Sequence, residues 1–162
     1  MPRLAAALLA GAIAICINTA LLAGCDAMGF VTARGGLLRL VRDIAGRMAP
    51  SLGLTDFWAH TLAPATTGPT FQTGFHIFVG LLMALFYAFL LEQSLPGRAW
   101  AKGVIYAIVL WLLNAFVVLP LTGEGIAGSN HLGVLNMMGF AAIHTIFFVL
   151  LSILYGRFRT PQ

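Results

Sequence analysis

Asn18, His76, Asn114 and His144 stand where polar chemistry is expensive, each inside a long apolar run of the 162-residue chain. Polar groups in hydrocarbon usually turn toward a protein interior, because no water is present to satisfy them. One such residue per run therefore predicts a shared intramembrane polar cluster. Neutral imidazole is a good iron ligand, so His76 and His144 on different helices would serve a haem b, or a quinone, in an electron-transfer subunit. Histidine also titrates near physiological pH, which would suit a proton-linked small-molecule carrier. The plainer alternative is interhelical hydrogen bonding, worth on the order of 1 kcal/mol per bond. No other metal is suggested, and HExxH, GxSxG, P-loop and paired intramembrane carboxylates are all missing from the sequence. A non-catalytic role is the expectation, with no resident cofactor unless haem b.

The elements that must position these residues are apolar helices. From Phe71 to Leu91, about 1.5 Å of rise per residue covers roughly the 30 Å hydrocarbon core. Runs over about 4–24, 71–92, 103–121 and 132–155 predict four spans in a single membrane domain 1–162. Helices are expected because only they satisfy their own backbone donors in lipid. His76, Gly80, Ala84 and Ala88 recur every fourth residue and form one narrow face, and Gly103 with Ala107 offers another. Such small-residue faces let helices approach closely. Measured from the expected outer ends, Asn18, His76 and Asn114 lie roughly 5–10 Å deep and His144 about 5 Å deeper.

Composition agrees with this architecture. The chain is 60% hydrophobic and 9% charged, against about 25% charged in a typical soluble domain. Its net charge of +4 is scattered over segment ends and one amphipathic stretch, without the basic stripe that a phosphate backbone requires. Membrane lipid is the expected partner, nucleic acid is not, and association with other membrane subunits or a second copy is open. Of the two cysteines, Cys25 closes a Leu22-Ala23-Gly24-Cys25 lipobox, so it is a candidate lipidation site. The single Arg3 before the run, and the Asn18-Thr19 pair within it, favour an uncleaved helix instead.

Between the first two runs, Arg39, Arg42, Asp43 and Arg47 fall at three- and four-residue spacing among leucines, predicting a basic amphipathic helix over about 36–49 that ends at Pro50. It should lie in the interface plane, or else as a lid over the bundle. A short helix is expected in TDFWAHTLAP, capped by Thr55 or Asp56, anchored by Trp58, stopped by Pro64, with His60 at headgroup level. The Ser94 to Arg98 turn forces an antiparallel hairpin. Arg3, Arg98, Lys102, Arg157 and Arg159 would lie on one side, against Arg34, Arg39, Arg42 and Arg47 on the other. With the basic helix translocated as a unit, both termini are expected in the cytoplasm.

The segments AGAIAICINTALL, TGFHIFVGLLMALFYAFL, KGVIYAIVLWLLNAFVVLPLTG and AAIHTIFFVLLSILYG resemble small four-helix bacterial inner-membrane proteins of a domain-of-unknown-function family. His76, Gly80, Pro120, Gly123, His144, Tyr155 and Gly156 carry the resemblance. It implies the fold, an inner-membrane location and a retained first helix, with no activity attached. The leading functional expectation is an accessory or assembly subunit acting through helix association.

Overall fold

The computed structural model describes residues 1–30 and 35–159. Four helices are long and apolar enough to cross a membrane: α1 Arg3–Ala27, α4 Pro69–Ser94, α5 Ala99–Leu121 and α6 Val134–Phe158. Two shorter ones, α2 Gly36–Met48 and α3 over 55–65, occupy the long connection, and no strand occurs among the described residues. The chain is an all-α, multi-pass four-helix bundle. Large apolar side chains such as Phe78, Leu82, Ile108 and Phe116 are exposed on its outside, as a lipid-facing surface requires.

Close approach is dictated by missing side chains. A Cβ on Gly11 would lie 2.5 Å from the Ala84 Cβ, and one on Gly80 would lie 2.5 Å from the Ile15 side chain. Helices α1 and α4 therefore meet along Gly11, Ile15, Gly80 and Ala84. The same logic joins α5 to α6, since a Cβ on Gly103 would lie 2.7 Å from the Phe148 carbonyl oxygen and 2.8 Å from the Val149 Cα. Ala84, Ala88 and Ala107 are buried. Helix α1 packs on both α4 and α6, and α5 packs on α6, whereas the α4 and α5 backbones stay apart. Aromatic side chains fill that gap near the chain termini: Tyr106 stacks on Tyr87 at 6.0 Å and lies 4.4 Å from Phe148, and Tyr155 meets Tyr87 edge-on at 5.7 Å.

This terminal end is also tied electrostatically. Arg3 donates to the Ala88 carbonyl at 3.0 Å, and the Met1 ammonium donates to the Phe158 carbonyl at 3.0 Å. Glu92 takes both Lys102 and Arg159.

Helix boundaries depart from the expected ones for identifiable reasons. Helix α1 runs past Gly24 through Cys25 and stops in a Schellman turn, where Phe30 N–H bonds the Cys25 carbonyl at 3.0 Å and Gly29 adopts φ 80°. Pro64 does not stop α3. The helix opens into a π-turn over Trp58–Leu62 and continues through Ala63–Ala65, which relieves the clash between a proline ring and the preceding turn. Its N-cap is Leu54, without a side-chain cap, rather than Thr55 or Asp56. The device recurs in α5, where a π-turn over Asn114–Val118 precedes Pro120. His60 is exposed.

Candidate functional site

At the distal end, away from the termini, Leu22, Leu119, Leu132, Phe140 and Ile143 form a second buried apolar cluster. Beyond the Gly80–Ile15 contact, α1 and α4 face each other through Asn18 and His76 instead of small residues, and the α4 and α5 backbones stay apart. The result is a cavity of about 220 Å³ bounded by Asn18 and Thr19 of α1, Gln72, Thr73 and His76 of α4, Trp111 and Asn114 of α5, and Phe140, His144 and Phe147 of α6. Gly36 and Leu38, at the start of α2, close its far side. That helix is thus seated on the bundle by one face. Leu38 is buried, and a Cβ on Gly36 would contact Leu119 at 3.6 Å. Arg39 bonds Glu124 at 2.5 Å, and Glu124 also holds His131 at 2.8 Å. The lid alternative describes this end of α2, while Arg42, Asp43 and Arg47 line a separate surface recess.

Within the cavity wall the four polar residues fall into two kinds. Asn18, only 1% exposed, donates its amide N–H to the Ile143 carbonyl at 3.1 Å, and its Oδ1 lies 3.1 Å from His76 Nε2. Because the carboxamide nitrogen is committed as donor, Oδ1 must accept, so Nε2 of His76 carries the hydrogen. Three spans are thereby joined through one asparagine.

His144 and Asn114 behave differently. His144 Nδ1–H donates to the Phe140 carbonyl one turn back at 2.9 Å, and its ring lies 4.2 Å from that of Phe140. In the neutral imidazole, Nε2 is then an acceptor. Neither that nitrogen nor the Asn114 carboxamide has a hydrogen bond among the described residues. The expected cluster of Asn18, His76, Asn114 and His144 is therefore one bonded pair plus two separate groups facing the same space. The pair forms because Asn18 and His76 stand on the helices that small residues bring together.

Sequence reasoning missed three participants. Tyr106 bridges α5 to α4 through its hydroxyl, 3.3 Å from the Met83 carbonyl, and no spacing announced it. Glu124, in the loop between α5 and α6, pairs with Arg39 of the basic helix across 85 residues of sequence, a separation that no local spacing marks. Gly11 extends the α1 packing face and carried the same four-residue signal as Gly80 and Ala84. Cys25 is half-buried in the last turn of α1, and Cys16 is exposed. Among the described residues no three His, Cys, Asp or Glu side chains gather as a metal-ligand set. Arg34 lies outside the described residues. Comparison of the chain with protein-family models, curated protein sequences and solved structures gave no match.

Proposed function

We propose that this protein is a non-catalytic binding subunit of a bacterial inner membrane, taking one lipophilic, single-ring molecule with a hydroxyl or carbonyl group into the cavity between α4 and α5. A quinone or quinol headgroup has that chemistry. The observation that carries the reading is the pair His144 Nε2 and Asn114, an acceptor and a mixed donor–acceptor facing one cavity without partners among the described residues. Both residues are half-buried, and polar groups without a partner on an apolar cavity wall point to a ligand that supplies it.

Size narrows the occupant. An apolar cavity of about 150 Å³ holds one benzene ring, so about 220 Å³ suits one substituted ring and argues against haem, whose macrocycle contains four pyrroles. His76 is also committed through Nε2 to Asn18, which weakens it as an axial ligand. No carboxylate lines the cavity, so the wall gives a proton-linked carrier only histidines to work with. Aromatic rings of Phe75, Phe140, Phe147 and Trp111 supply stacking surfaces. The separation of α4 from α5 gives a ligand lateral access from the bilayer, and its tail would leave by the same gap.

Retention of α1 fits this reading, because Ala6, Ala7, Ala10 and Ala14 are core residues and Asn18 organises the wall. Cytoplasmic termini belong to the same proposal. The test is titration of the detergent-solubilised protein with a short-chain quinone analogue, followed by quenching of Trp111 in a Trp58→Phe, Trp100→Phe background. His144→Leu and Asn114→Leu should each weaken binding about tenfold, as loss of one hydrogen bond to a buried group does. Unchanged quenching in both variants would overturn the proposal.

A further inference from the structure

A second recess, of about 630 Å³, lies outside the bundle where α2 meets α3, lined by Arg39, Arg42, Asp43, Gly46, Arg47 and Trp58. Helical periodicity puts the three arginines on one side of α2. Arg39 is held by Glu124. Arg42 and Arg47 have no carboxylate within ion-pairing distance among the described residues, even though Asp43 shares the recess. More tellingly, Arg42 Nε is buried and has no hydrogen-bond acceptor. A guanidinium N–H withdrawn from water without an acceptor is uncommon. Trp58 forms the opposite wall, its indole nitrogen against Gly46 so closely that a Cβ there would come within 3.0 Å. The glycine admits the ring.

We infer that this recess is a binding site for a phosphate-bearing group, held by the Arg42 and Arg47 guanidinium groups with the Trp58 N–H beside them. Planar guanidinium forks match phosphate oxygens two at a time. With Arg39 neutralised by Glu124, the remaining charges are two arginines against Asp43, a balance suited to a single phosphodiester. Ile44, Met48, Leu52, Leu54 and Phe57 of the same connection are exposed apolar side chains, a surface suited to a membrane boundary where a lipid phosphate would be found. A free phosphate needs only the guanidinium groups. This site is independent of the ring-binding cavity and stands or falls separately.

The full chain in neutral detergent is offered phosphatidylglycerol, phosphatidylcholine or inorganic phosphate, and retained adducts are counted by native mass spectrometry. Phosphatidylglycerol should be retained over phosphatidylcholine. Arg42→Gln and Arg47→Gln should each reduce retention about fivefold, Asp43→Asn should increase it, and Arg98→Gln at the other end should leave it unchanged. Retention of inorganic phosphate alone, with the same dependence on Arg42 and Arg47, would assign the site to a soluble phosphate. Equal retention of both lipids with no phosphate adduct, or loss that follows Arg98 as much as Arg42, would overturn the site. Should the arginine variants fail to fold, unchanged retention in Asp43→Asn overturns it on its own.

Discussion

The terminal and distal halves of this bundle use the same four helices to opposite ends. Near the termini, glycine and alanine faces bring backbones together, three tyrosines fill the remaining gap, and Glu92 closes the end with Lys102 and Arg159. In the distal half, α1 and α4 meet through the Asn18–His76 hydrogen bond, a π-turn over Asn114–Val118 and Pro120 interrupt the regular turns of the strongly apolar α5, and a cavity lies between the spans. In lipid no hydrophobic effect squeezes such a gap shut, since acyl chains solvate apolar side chains as well as protein does. Packing geometry alone decides where the bundle is dense.

Gly103 is where a single side chain should disturb the dense half most. Gly103→Leu should prevent α5 from seating on α6 and cost about 3 kcal/mol or more, because the obstructing atoms are backbone. Gly139→Ala, with nothing within 4 Å of its added methyl, should be almost silent. Thermal unfolding in detergent measures both, and similar melting of the two variants would mean that the terminal half is loosely packed.

Next in size is the bonded pair. His76→Leu leaves the buried Asn18 Oδ1 without its donor and should cost about 1–3 kcal/mol. Adding Asn18→Leu should recover part of that loss, a coupling that a double-mutant cycle reads directly. Asn114→Leu should be additive with His76→Leu, because the two side chains share the cavity and no bond. Coupling between those two would show that the distal polar groups act as one network.

Asn114→Leu by itself should leave the melting temperature near that of the parent while lowering ring-ligand affinity. A large loss of stability would reassign Asn114 from ligand binding to holding the fold. The smallest effect belongs to Arg39→Gln. Its ion pair with Glu124 is half in solvent, 45% exposed on the arginine side, and worth roughly 0–1 kcal/mol. Hydrogen exchange over Gly36–Met48 should nevertheless rise, because only the apolar contacts of Gly36 and Leu38 named above then hold this end of the helix. Unchanged exchange would place the anchoring in the apolar contact.

Much of the architecture was legible from residue types. Long apolar runs specify helices in lipid because nothing else satisfies the backbone, and the four-residue recurrence of Gly80, Ala84 and Ala88 marks a packing face before any neighbour is known. Boundaries were less legible. Pro64 reads as a stop, yet a helix that widens upstream can carry proline forward, and no local spacing reports that widening.

The sequence by itself determined which residues would be costly to bury and that they would seek one another: Asn18, His76, Asn114 and His144 are the polar exceptions in apolar runs, and a low-dielectric surrounding penalises each. Only tertiary structure decided that Asn18 meets His76 while Asn114 and His144 face open space. Hydrogen bonds need an atom within about 3 Å, a tolerance far finer than depth estimates along a helix. Helix rotation and separation, set by glycines a turn or two away, determine which candidates come within it.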